Sequence, residues 1–307
     1  MLQQLTRQSY QVFLSDGSTM QVKGELQGRD AAAEFLESGG VIFFPESPFR
    51  RSPQDNRFLL SQHQKDAAYH KNIAYRPAED KITGLQKAGA AELETLRRIM
   101  ADYTRQSMEL VEEVFPAYQD GYKLDFASYR PIEEQGRKMR LRARNDLIHV
   151  DSFTTRPVHG DRILRVFENI NPHRARVWRT SDTFEQLSAQ FKDQRPHPGD
   201  VDKESRGIIP SFITQALGIK SNCSSNYDKW MLSFHNFLKE NSAFQSNCRK
   251  AVWEFPPGSA WIVYTDMVSH SVLSGQYALE QTFIVSQKHM VLPEKTPINI
   301  LRKLYSE

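Results

Sequence analysis

Several protein classes are excluded by what this chain has little of. Its 307 residues contain two cysteines, Cys223 in SNCSSN and Cys248 in QSNCRK, with no CxxC spacing. That leaves no basis for a zinc ribbon, a thioredoxin motif or a disulfide framework, and reads as two free thiols of a reducing compartment. Neither sign of charge prevails: 40 Lys and Arg against 37 Asp and Glu give a formal net charge of +3, so attraction to a polyanion has to come from a local cluster rather than the field of the whole molecule. Apolar runs such as VIFF, Val41 to Phe44, are too short to cross a bilayer, and the opening MLQQLTRQSYQVF has no signal-peptide core. The expected location is therefore the cytoplasm, with at most a peripheral contact with a membrane surface. There is no internal repeat and no low-complexity tract, and apolar (39%) and charged (25%) contents are those of an ordinary folded protein.

What is present is organised as helices first and strands afterwards. SYQVFLS and TMQVKGEL alternate around Asp16-Gly17 and predict a β-hairpin. A short helix is expected at RDAAAEFLES, ended by Gly39-Gly40, before VIFFP as a buried strand. The polar stretch from Phe49 to Lys87 reads as a long surface excursion. From Ala90 to Phe115, Leu93, Leu96, Met100, Tyr103, Leu110 and Val114 keep helical spacing up to Pro116. After Gly121 the pattern turns to strands: YKLDFASYR, KMRLRAR, DLIHVDSF, RILRVFENI and, beyond a helical middle, VWEF, SAWIVYT, SHSVL and YALEQTFIVS. Strands without a βαβ rhythm predict an antiparallel sandwich or barrel.

Two His-x-Asp tripeptides occur. His159-Gly160-Asp161 lies in RPVHGDR and reads as a turn. In DLIHVDSF, by contrast, Leu147, His149 and Asp151 share one face of a strand while Ile148 and Val150 share the other. An imidazole and a carboxylate pointing the same way serve either as hydrogen-bonded core residues or as two metal ligands, and the second reading needs a third partner. Two histidines and one carboxylate on one face of a metal leave three positions open. His270, inside the β framework of SAWIVYTDMVSHSVLSGQYALEQTFIVS, is the candidate. His173 and His197 stand beside prolines, His235 sits in the helical FHNFLKE and His289 is near the end of the chain.

His149-x-Asp151 with a distal His270 resembles the Fe(II)- and 2-oxoglutarate-dependent oxygenases. The blocks HVDSFTTRPVHGDRILRVFENINP and EFPPGSAWIVYTDMVSHSVLSGQYALEQTF resemble, more narrowly, the hydroxylases of 3-deoxy-D-manno-octulosonic acid (Kdo). The resemblance implies an α+β fold with a mainly β core, a double-stranded β-helix of jelly-roll or cupin-like form with supporting N-terminal helices. It implies a single oxygenase domain over 1–307, in which 1–120 form the hairpin and helical layer and 121–307 the β-helix core, with a helical insert at about 180–250. It further implies Fe(II), 2-oxoglutarate and O2 as cofactor and cosubstrates, a Kdo-containing lipid A precursor as partner, and hydroxylation at C3 with release of succinate and CO2.

An arginine suits the distal carboxylate of 2-oxoglutarate. Oxygenases of this type commonly carry it on the last strand after the distal histidine, but here that window reads EQTFI. RILRVFENI supplies the replacements: Arg165, which shares a strand face with Phe167 and Asn169, with Arg162 in reserve. Lys138, Arg140, Arg142 and Arg144 alternate with Met139, Leu141 and Ala143, placing cations on one face of an expected strand, for an anionic sugar, a lipid A phosphate or a membrane surface, or simply guarding a sheet edge. Arg130 in SYRP, and Arg176 and Arg179 around Trp178, are further substrate-binding candidates. Two other readings stay open: the same chemistry on another acidic sugar or small metabolite, and a non-catalytic sandwich binding anionic glycans. No nucleic-acid partner is expected, since basic and aromatic residues are not interleaved.

Overall fold

Residues 11–14, 30–62, 72–85, 89–153, 155–201, 203 and 224–306 are described by the computed structural model of the chain. The alternating segments form two antiparallel sheets. The larger contains β1 (Gln11–Leu14), β2 (Gly40–Phe44), β3 (Ile73–Arg76), β4 (Lys81–Thr83), β5 (Tyr122–Arg130), β6 (Arg162–Asn169), β9 (Ala260–Tyr264) and β11 (Ala278–Val285), in the order β1-β2-β9-β6-β11-β5-β3-β4. The smaller contains β7 (Arg176–Thr183), β8 (Ala251–Phe255) and β10 (Val268–Ser274), in the order β10-β7-β8. Period two decides what each face meets. Val41, Phe167, Trp261 and Val263 of the large sheet pack on Trp178, Phe255, Val268 and Val272 of the small one. The opposite face of the large sheet carries Ile42, Phe44, Leu164, Val166, Ile262 and Tyr264. It is covered by α1 (Ala31–Glu37) and the long α3 (Ala90–Val114) through Leu36, Leu96, Ile99, Met100 and Tyr103. This is a jelly-roll core with helices on one side, the fold class expected.

Between β7 and β8 lie α4 (Phe184–Gln190), α5 (Asn226–Glu240) and α6 (Ser242–Asn247), and α7 (Pro297–Tyr305) ends the described chain. Ser225 and Asp228 form a capping box that starts α5. Asp228 Oδ1 also accepts the backbone N–H groups of Val158 (2.8 Å) and His159 (3.1 Å), tying α5 to the His159-Gly160 turn. His159 (φ 52°) and Gly160 (φ 93°) are left-handed there, as a turn reading of HGD requires.

Two expectations need amendment, and a third falls partly outside the described residues. The 49–87 stretch is less a loop than anticipated: Ser52 caps α2 (Pro53–Ser61) with Pro at its first turn, and β3 and β4 extend the large sheet. KMRLRAR is not a strand. Leu141–Ala143 form a 3-10 turn, and the Arg142 carbonyl is taken by Lys239 Nζ of α5 (3.1 Å) instead of a ladder partner. Finally, β1 pairs with β2, while Asp16-Gly17 and TMQVKGEL lie outside the described residues, as does Cys223.

Candidate metal centre

The segment holding His149 runs extended beside β10, on the side away from β7. His149 N–H donates to His270 O (3.0 Å), His270 N–H donates to His149 O (2.8 Å), and Asp151 N–H reaches Thr265 O (2.8 Å). The alternation read from the sequence holds: Ile148 and Val150 enter the core, while one donor atom each from His149, Asp151 and His270 lies within 4.8 Å of the others.

Backbone carbonyls fix both imidazoles in one tautomer. His149 Nδ1 is 2.7 Å from Leu147 O and His270 Nδ1 is 2.9 Å from Val268 O. A carbonyl can only accept, so each Nδ1 carries the proton and each Nε2 keeps a lone pair facing the cluster. Burial pushes the His149 imidazole well below the ordinary histidine value, with the Lys239 charge adding to the effect, and burial lowers His270 too. Burial opposes ionisation of Asp151, but Arg165, the His149 hydrogen bond and His270 hold its carboxyl well below the usual range. Two neutral nitrogen donors and one carboxylate converge, a donor set that fits a divalent transition metal.

Packing restrains the rings. Trp178 stacks on His270 (centroids 5.1 Å, 19°), and His235 of α5 meets His149 edge-on (4.8 Å, 80°) while its Nδ1 bonds Val150 O (2.7 Å). His235 was passed over as a ligand; it buttresses one.

Around this centre the structure separates the predicted arginines. Arg165 faces it, with Nη2 3.1 Å from Asp151 Oδ2 and Nη1 2.7 Å from Glu280 Oε1. Arg130 pairs with the same Glu280, its Nε 2.9 Å from Oε2. Arg176 is buried with Nη1 on Gly275 O (3.1 Å) and Nη2 3.8 Å from Glu134. Arg162 corrects the expectation. It lies on the opposite face of β6, bonded through Nε (2.9 Å) and Nη2 (3.2 Å) to Asp266, and points away from the metal donors. Asn169 is also a correction, because its amide is spent on the Arg174, Phe255 and Pro256 carbonyls. Arg142 is exposed and pairs with Glu240 at 2.5 Å; Arg144 pairs with Asp146 at 2.5 Å. Arg144 and Arg179 instead line a separate cleft of about 870 Å³, with Arg137, Lys138, Arg140, Glu134 and Asp146.

The acidic members were missed. Glu280 and Glu134 lie inside among arginines, and the available signal for Glu280 was a carboxylate in EQTFI, on a strand otherwise written for burial.

Comparison with known proteins agrees with this geometry. The model of the 3-deoxy-D-manno-oct-2-ulosonic acid (Kdo) hydroxylase family matches residues 20–307. The chain is 33% identical to the Kdo hydroxylase KdoO, described as a non-heme Fe(II) alpha-ketoglutarate-dependent dioxygenase, with 90% of this chain and 89% of that one covered; the TM-score is 0.77 to its apo structure. Structures of KdoO with alpha-ketoglutarate and Fe(III) (TM-score 0.76) and with cobalt(II) (0.77) match over the same shares. No curated protein matches. With a family match over nearly its whole length and a fold shared with KdoO, the chain belongs to the Kdo hydroxylase family.

Proposed function

We propose that this chain is an Fe(II)/2-oxoglutarate-dependent dioxygenase that hydroxylates C3 of Kdo in a lipid A precursor. The observation that carries the reading is the convergence of two tautomer-locked Nε2 atoms and the Asp151 carboxylate in a member of this family. His149, Asp151 and His270 would hold the metal. The bound iron supplies oxidative chemistry: 2-oxoglutarate and O2 give succinate and CO2 while a C–H bond of the acceptor becomes C–OH. The protein's own task is placement and exclusion of water. Trp178, Phe167 and Val268 wall the interior with apolar surface, and Arg165 is the guanidinium nearest the metal donors and takes the distal carboxylate of 2-oxoglutarate. Arg176, deeper in the same network, suits an acidic sugar.

The acceptor's lipid end has a place as well. Arg137, Lys138, Arg140, Arg144 and Arg179 against Glu134 and Asp146 give the cleft a formal charge of 5 − 2 = +3, as large as that of the whole chain. Leu141, at the tip of the adjoining turn, is 46% exposed. Cations beside an exposed leucine suit phosphates at an anionic membrane surface, and no described helix is long and apolar enough to cross a membrane. We place the enzyme in the cytoplasm, peripheral on the inner membrane. Sedimentation with anionic vesicles tests this contact, and a protein that stays in the supernatant at low salt refutes it.

The experiment for the activity is the visible absorption of the protein with Fe(II) and 2-oxoglutarate under anaerobic conditions, beside a His270→Ala variant. A charge-transfer band lost in the variant, followed by gain of one oxygen atom in lipid A by mass spectrometry, is the expected result. No band and no bound metal would instead leave a glycan-binding sandwich.

A further inference from the structure

The inner face of β11 carries an acid where the proposed cosubstrate needs a cation nearby. Ala278, Glu280 and Thr282 share that face, and the register is informative. Ala278 stands opposite Arg130 of β5, and Thr282 stands opposite Arg165 of β6. Both facing residues are small, so each guanidinium can lean along the sheet towards the carboxylate between them. Arg165 Nη1 lies 2.7 Å from Glu280 Oε1, and Arg130 holds Oε2 through Nε (2.9 Å) and Nη2. Glu280 is 3% exposed in its side chain and both arginines 12%. Burial works against its charge, but Arg130 and Arg165 together hold its carboxyl below the usual range, so it is ionised.

Two guanidiniums share one carboxylate on a rigid frame built from three adjacent strands, flanked by Asp151 on Arg165 and Glu134 on Arg130. One donor in it is unspent: Arg165 Nε is buried without an acceptor. The frame begins at the metal centre, since Arg165 reaches Asp151 (3.1 Å) with one nitrogen and Glu280 with another.

Resting on the reading of the chain as a 2-oxoglutarate enzyme, we propose that Glu280 is a positioning residue that holds Arg130 and Arg165 as a two-guanidinium clamp for the cosubstrate's distal carboxylate. Without Glu280 the two arginines lose their common partner, Arg165 falls back on Asp151 alone, and the clamp opens. The two charges remain but their geometry does not, and bidentate recognition depends on geometry.

The test is calorimetric titration of the cobalt(II)-loaded protein with 2-oxoglutarate and, in parallel, with 2-oxobutyrate, which keeps the chelating end and lacks the distal carboxylate. The wild type is expected to prefer the diacid. Glu280→Ala should weaken 2-oxoglutarate by about tenfold to a hundredfold and leave 2-oxobutyrate unchanged. Glu280→Gln, which keeps the shape and one acceptor oxygen, should recover part of the loss. In turnover the change should fall on KM for 2-oxoglutarate with kcat little altered. Tighter binding of the diacid in either variant would show that Glu280 competes with it, and equal weakening of both acids would show a merely structural role; either overturns the proposal. A wild type that ignores the distal carboxylate would refute the underlying cosubstrate reading before any variant is compared.

Discussion

Arg162 and Arg165 stand three residues apart on β6, the first fully and the second largely buried and both paired with acids, yet they do opposite things. Arg162 is a closed account of hydrogen bonds: Nε and Nη2 go to Asp266, whose Oδ2 also accepts the Ile163 N–H (3.2 Å), and the guanidinium lies 4.2 Å over the Tyr264 ring. Arg165 is open: it splits itself between Asp151 and Glu280, and its Nε lacks a hydrogen-bond partner, as do Arg176 Nε and Trp178 Nε1. A buried polar atom without a partner is costly. Three of them in the network beside the metal donors are N–H groups still able to donate, whereas the pair on the other face of the strand is spent within the fold.

The sharpest way to break this comparison is to remove one partner from each side. Asp266→Ala strands a buried guanidinium, at a cost of about 3–5 kcal/mol in stability. The melting temperature should fall by many degrees, while the protein that remains folded binds cobalt(II) and 2-oxoglutarate as before. Arg165→Ala is expected to do the reverse in the metal-loaded protein, weakening 2-oxoglutarate by about tenfold to a hundredfold with a smaller drop in melting temperature than Asp266→Ala. Thermal unfolding and calorimetric titration of both variants decide the matter. If Arg165→Ala is the less stable of the two, the division between structural and ligand-facing arginines is wrong.

That division was partly written in the sequence. Strict alternation put His149 and Asp151 on one face and grouped Arg165 with Phe167 and Asn169, but it left Arg162 in reserve, because a strand residue's face is fixed by its parity only once one neighbour is placed. Alternation misled at KMRLRAR, where the same pattern occurs without a ladder: α5 supplies Lys239 to the Arg142 carbonyl and Glu240 to its side chain, so the segment curls against a helix. No local pattern could show that, since the partners lie about a hundred residues away. Asn169 shares a face with Arg165, but that face ends at a turn whose carbonyls consume the amide. Glu280 was hidden for a related reason: an acid in a buried strand has meaning only once two arginines from neighbouring strands are seen to converge on it.

A milder probe acts on the acid that joins the interior to the basic cleft. Glu134 meets Arg176 and Arg130 on one side and Arg137 on the other. Burial opposes ionisation of its carboxyl, yet Arg176, Arg130 and Arg137 together hold it below the ordinary glutamate range. A carboxylate whose folded pKa is depressed stabilises the protein above its unfolded pKa and loses that contribution as pH falls through the folded value. Glu134→Gln should therefore cost about 1–3 kcal/mol near neutral pH, and its deficit against the wild type should shrink as the pH drops below the ordinary carboxylate range. Melting curves from pH 7 to pH 3 check the sign. A deficit that persists undiminished in acid would mean that Glu134 contributes shape rather than charge.

The smallest expected effect falls on Trp178, which belongs to both regions at once. Its ring is structural, stacked on His270 and set edge-on to Phe167 (4.9 Å, 81°) and Trp261 (5.5 Å, 86°), while its Nε1–H is one of the partnerless groups. Trp178→Phe keeps an aromatic face on His270 and removes the N–H together with some volume, so about 1 kcal/mol of stability is expected to be lost to the smaller ring. Metal affinity should hold, because His270 keeps both its carbonyl bond and its stacking partner. If the unpaired N–H is reserved for the acceptor, KM for the acceptor should rise severalfold while 2-oxoglutarate affinity stays fixed. An unchanged KM would assign Trp178 wholly to the scaffold and draw the boundary of the ligand-facing region inside the indole, at the arginines.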